Sequence, residues 1–238
     1  MFSSAPPFEL FGVDHLTVLV LTVLAATTLI VAVRRWGEDA PAVRRATTIL
    51  AWMLLLSYPA KVLAFVSAGE PLLDNGLPLH LCNWAAIAGF LALITKRQLF
   101  CELLYFWGLA ATLQAVITPN LPFGFPHSIF FVFFVIHSGV VVAAVFVAFG
   151  MKRGPEAGGV WRAFLGAQVY LVVAGLINFM VGSNYGFLRE KPGGASLMDY
   201  FGDWPYYILV LEIVALASFA LLNLPFWLGR KRAADASG

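Results

Sequence analysis

Long apolar runs, broken by short polar stretches, recur along the whole chain. A helix needs about 20 mostly apolar residues to cross a bilayer. Seven segments approach that length: roughly residues 14–34, 46–68, 78–95, 99–118, 127–150, 160–181 and 204–228. The third is the shortest and least apolar. The linkers between them carry turn formers: Gly37 to Pro41, Gly69 to Pro78, Pro119 to Pro126, Gly150 to Gly159 and Lys191 to Asp203. The pattern predicts an all-α, polytopic membrane helix bundle of seven transmembrane helices. Residues 1–238 read as a single transmembrane domain, with 229–238 as a cytoplasmic tail.

Composition agrees with that reading. Of 238 residues, 61% are hydrophobic and 12% charged, where soluble domains carry about 25% charged residues. Mean hydropathy is +0.84. The net charge of +2 says little; the placement of the charges says more. Arg34, Arg35, Arg44 and Arg45 flank the first linker, and Lys96 and Arg97 form the third. Lys152, Arg153 and Arg162 mark the fifth, and Arg230, Lys231 and Arg232 the tail. The N-terminus and the second and fourth linkers lack such residues. The sixth linker offsets Arg189 and Lys191 with Glu190, Asp199 and Asp203. Basic residues favour the cytoplasmic side. This alternation therefore predicts an outside N-terminus, a cytoplasmic C-terminus and residence in the plasma membrane. Met1 to Asp14 has no Lys or Arg and does not read as a signal peptide. Only two cysteines occur, Cys82 and Cys101, at opposite predicted depths, so no disulfide is expected. No dinucleotide, P-loop or zincin motif appears, no cofactor is implied, and no basic aromatic patch suits nucleic acid.

The stretch Leu77 to Trp84, reading LPLHLCNW, opens the third span with an imidazole, a thiol and an amide. Polar groups in hydrocarbon cost free energy unless partnered. Pro78 at the first helical position would put Cys82 within a turn of a helix N-terminus, where a thiolate is favoured. The plain alternative is a cysteine acting as a small hydrophobe. Lys61, His80, Cys82, Asn83, Asn120, His127, Asn178 and Asn184 all fall in the predicted outer half, with His137 and Glu212 near the midplane. Intramembrane ionisable groups face a bundle interior or a wet cavity, so a polar cavity open to the non-cytoplasmic side or the outer leaflet is expected. His127 and His137 lie on one span, about 15 Å apart along its axis. Either is a suitable base by its ordinary pKa, or a histidine bonded to a neighbouring helix. Lys61 reads as a snorkelling lysine, a lipid-phosphate anchor or the partner of Glu212, which must pair or be protonated.

Several blocks resemble the YwaF family of bacterial membrane proteins. They are LPLHLCN at Leu77 to Asn83, QAVITPNLPFGFPH at Gln114 to His127, His137, NYGFLREKP at Asn184 to Pro192, and SLMDYFGDWPYYILVLE at Ser196 to Glu212. That family is similar to a mammalian ether-phospholipid acyltransferase, transmembrane protein 164, in which a cysteine of the corresponding early motif is implicated in acyl transfer. More remotely, these proteins resemble membrane lipid hydrolases that use a threonine and a histidine. The resemblance implies seven spans, Cys82 as nucleophile and His137 or His127 as its base. It also implies a membrane phospholipid or lysophospholipid as substrate. Asn83, Asn120 and Lys61 are then oxyanion candidates, and His80, Asn178 and Asn184 substrate contacts. Two other classes compete: a zinc site built from His80, Cys82, His127 and His137, and a transporter or non-catalytic membrane protein.

Overall fold

A computed structural model describes residues 6–193 and 197–236. The expected sixth linker and the tail each include residues outside that description. Seven long helices overlie the seven expected spans: α1 Val13–Trp36, α2 Pro41–Ala68, α3 Leu81–Thr95, α4 Gln98–Ile117, α5 Ser128–Gly150, α6 Gly159–Val181 and α7 Tyr206–Asp235. Six are long and apolar enough to cross a membrane, and α3 is the short one. The protein is therefore an all-helical integral membrane protein.

Helix α5 is apolar on every side, as a central helix must be. It packs against α1, α2, α3 and α4. Helices α2, α3 and α5 also contact one another, and small residues bring them close. A Cβ on Gly89 of α3 would lie 2.7 Å from the Leu54 side chain of α2. Helix α7 lies on the other flank, against α6 and the middle of α4. There α4 widens into a π turn at Gly108–Thr112, and α5 ends in another at Phe146–Gly150. Neither turn has a sequence signal.

One end of the bundle is tied by ion pairs. Glu102 of α4 is fully buried and takes both Arg162 nitrogens, at 2.7 and 2.8 Å. The same carboxylate accepts from Gln98 Nε2 and the Glu156 backbone N–H, each at 3.1 Å. Nearby, Glu38 meets Lys96 at 2.7 Å and Arg153 at 3.5 Å. Burial pushes the Glu38 pKa up, but the hydrogen bond and charge of Lys96, with Arg153, outweigh it and hold the carboxyl below its ordinary range.

Two boundaries differ from expectation. Helix α3 begins at Leu81, and Pro78 lies in the loop before it. That loop is held outside the helix by its own bonds: Tyr58 Oη donates to the Gly76 carbonyl at 2.6 Å, and the Leu77 N–H donates to Tyr185 Oη at 2.9 Å. Helix α7 runs on to Asp235, through most of the expected tail, since Gly229 to Asp235 contains strong helix formers and no proline.

Candidate active site

Cys82 sits at the second position of α3, because His80 is its N-cap in an extended conformation (φ −80°, ψ 146°). The cap makes no side-chain bond to the first turn, so backbone N–H groups remain there. The Asn83 N–H bonds the His80 carbonyl at 2.9 Å and closes the first turn around Cys82. This is the positive end of a helix. Cys82 is partly exposed, whereas Cys101 is buried at the other end of the bundle.

The three mutually packed helices each bring one group to this level. Lys61 of α2 is within electrostatic range of Cys82, His80 and His137. Its ammonium lies 5.6 Å from the Phe65 ring centroid. Lys61 is only 9% exposed and makes no ion pair or hydrogen bond among the described residues, which is an expensive arrangement for a cation inside a bundle. His137 of α5 donates from Nδ1 to the Phe133 carbonyl at 2.6 Å and stacks on the Phe133 ring at 4.1 Å. That bond fixes the tautomer and leaves the Nε2 lone pair free of any protein donor.

His80 is spent on structure. Its Nε2–H donates to the Asp74 carbonyl at 2.8 Å, and Nδ1 accepts from the Gly186 N–H at 3.4 Å. It thereby ties the loop before α3 to the loop after α6. Asp74 adds to that tie by accepting from the Asn184 N–H. Asp74 did not stand out in the sequence, since it lies in a polar loop, and Tyr185 lay inside the NYGFLREKP block with no role of its own.

The remaining expected residues divide. Asn83 is buried, and its Oδ1 has no partner. Asn178 is consumed by Tyr185 and Ser183: Nδ2 donates to the Tyr185 carbonyl, while Oδ1 accepts from Ser183 Oγ and the Tyr185 N–H. Asn184 binds the backbone of Arg189 and Glu190. Both asparagines hold the loop rather than offer free groups. Asn120 is exposed in the loop between α4 and α5. His127 is not brought to Cys82. It caps α5, accepting from the Ile129 N–H at 3.2 Å, and its ring stacks on Phe123 at 4.1 Å.

Two expected groupings do not form. His80, Cys82, His127 and His137 do not gather into a ligand set; among the described residues no three His, Cys, Asp or Glu side chains converge as metal ligands. Lys61 and Glu212 do not pair either. Glu212 accepts a hydrogen bond from Gln168 of α6. Helix α2 packs on α1, α3 and α5, while α7 packs on α6 and α4, so the two charges lie on different flanks. A double-mutant cycle of Gln168→Leu and Glu212→Gln should give a coupling of about 0.6 kcal/mol, the average for interhelical hydrogen bonds in membranes. The cycle of Lys61→Met with Glu212→Gln should be additive. Thermal melts of detergent-purified variants read both.

The profile of the TMEM164 family matches residues 10–223, which includes every group described above. The chain belongs to the TMEM164 family. A relative in Treponema pallidum (strain Nichols), described as an uncharacterized protein, is 32% identical over 152 residues, covering 64% of this chain. This chain matches 63% of that relative's length. No solved structure matches the chain. The family match covers α1 through most of α7, so the bundle and the Cys82 level both belong to what this TMEM164-family member shares with it.

Proposed function

We propose that the protein transfers or hydrolyses the acyl group of a membrane phospholipid or lysophospholipid through Cys82. The observation that supports this reading best is the meeting of three groups: a thiol at a helix N-terminus, an unpaired buried lysine, and a histidine with one free nitrogen. In the proposed reaction His137 Nε2 takes the thiol proton, and the sulfur attacks the ester carbonyl. The acyl–oxygen bond breaks, the lysolipid alkoxide leaves with the proton from His137, and a Cys82 thioester remains. A second lipid hydroxyl, or water, then gives its proton to His137 and attacks the thioester, which frees the thiol. Lys61 favours the thiolate and the oxyanion by its charge. Cys82 and His137 do not hydrogen-bond in this structure; catalytic hydrogen bonds often tighten only with substrate.

The test is direct trapping. Purified protein in phospholipid nanodiscs carrying an alkyne-tagged acyl chain, quenched in acid, should carry that acyl group on Cys82 and not on Cys101. Neutral hydroxylamine should release it. Turnover with no label on Cys82 at any time point sinks the proposal.

The basic residues cluster at the end of the bundle opposite Cys82, so the site is proposed to face the non-cytoplasmic side. Asp39→Cys in a background of Cys82→Ala and Cys101→Ala should react with a permeant maleimide in whole cells and resist an impermeant one. Labelling by the impermeant reagent reverses the orientation.

A further inference from the structure

Tyr170 of α6 is 6% exposed, and its hydroxyl has no hydrogen-bond partner among the described residues. A buried hydroxyl left alone costs free energy, and phenylalanine would fill the same space without that cost. The hydroxyl is not hidden in a remote part of the core. The tyrosine ring packs on Trp84, two residues beyond Cys82, and its oxygen packs on Gly186, whose N–H bonds the N-cap residue of α3, so the hydroxyl lies over the helix turn that carries Cys82. The Tyr170 ring meets Trp84 edge-on, with centroids 5.5 Å apart, so one turn of α3 holds it in place. On its far side stands Gly186, at φ +67°, where a Cβ would come within 2.1 Å of Tyr170 Oη. Only glycine tolerates both that backbone and that neighbour. Gly186 is also the residue whose N–H fixes His80. The loop is thus shaped around the hydroxyl without bonding it.

A second orphan lies next to the sulfur in sequence: Asn83, 2% exposed, with Oδ1 unpartnered. The two orphans differ in kind: the Asn83 oxygen lacks a donor, and the Tyr170 hydroxyl lacks an acceptor. The ligand class is one that accepts from a phenol.

We infer that Tyr170 Oη is a further catalytic group, donating its hydrogen bond to the carbonyl oxygen of the acyl ester as Cys82 attacks it. This rests on the proposed role of Cys82. The negative charge that develops on that oxygen strengthens the bond in the transition state, and no proton need leave the phenol. The arrangement favours carbonyl substrates over other electrophiles, since an alkyl halide develops no oxyanion.

The experiment compares two reactions at the same sulfur. Tyr170→Phe should slow acylation of Cys82 from the tagged phospholipid by about 10²–10³-fold, the usual loss for one oxyanion donor. Alkylation of Cys82 by iodoacetamide should stay at the wild-type rate. The melting temperature should stay level or rise, because an orphan hydroxyl is gone; a purely structural tyrosine would lower it. Wild-type acylation in Tyr170→Phe overturns the inference and leaves the cysteine reading intact. Parallel loss of acylation and alkylation also overturns it, by showing that the tyrosine acts on the thiol. Absence of any acyl group on wild-type Cys82 removes both ideas together.

Discussion

Cys82→Ala should abolish lipid acyl transfer, with a fall of about 10⁴-fold or more, as removal of a covalent nucleophile does elsewhere. The substitution is nearly isosteric and its site is partly exposed, so the bundle should fold and express normally. Cys101→Ala should keep full activity, because that thiol is buried beside the Glu102 network. His137→Ala should approach the loss seen for Cys82→Ala, whereas His127→Ala should lose little chemistry and only the α5 cap. Lys61→Met should fall between, since it removes a charge and no reacting atom. Chromatography of tagged lysolipid and transferred acyl product over time reads all five. Wild-type remodelling by the Cys82→Ala protein would end the nucleophile assignment.

The second large effect is on folding. Arg162→Ala strands the Glu102 carboxylate, which is fully buried, with only Gln98 and one backbone N–H for support. Breaking a buried pair from one side costs about 3–5 kcal/mol. Glu102→Gln should cost less, because the Arg162 side chain is 42% exposed and its guanidinium can turn to water. The asymmetry is the signature: the arginine variant should melt well below the glutamine variant. The double variant should lose less than the sum of the singles. A larger loss for Glu102→Gln would show that the carboxylate serves the loop at Glu156 more than the ion pair.

The helices were legible because hydrophobic length is a one-dimensional property. Seven apolar runs sufficed to give seven helices, including the short third one. Cys82, Lys61 and His137 were legible as oddities, since each is a costly group in an apolar run. What the sequence hid was partnership. Glu212 needed a partner, and Lys61 was the obvious opposite charge, but helix packing put a glutamine beside it. His127 and His137 look alike in sequence; one caps a helix and the other keeps a free nitrogen. Asn184 opens a family-like block and Asn178 lies just before it, yet their amides close the loop that carries Gly186. Tyr170 gave no signal, because a tyrosine on a membrane helix is ordinary until its hydroxyl is found unpartnered.

The brevity of α3 has a consequence for the bilayer. Its 15 residues rise about 22 Å, against a hydrocarbon layer of about 30 Å. A helix anchored at its basic end therefore stops short of the opposite surface by about 8 Å. Its first turn, with the sulfur, then lies inside the acyl-chain region, below the level where glycerol meets the chains. Under the proposed reaction, a lipid ester would reach Cys82 from within its own leaflet by dipping that far below its resting depth.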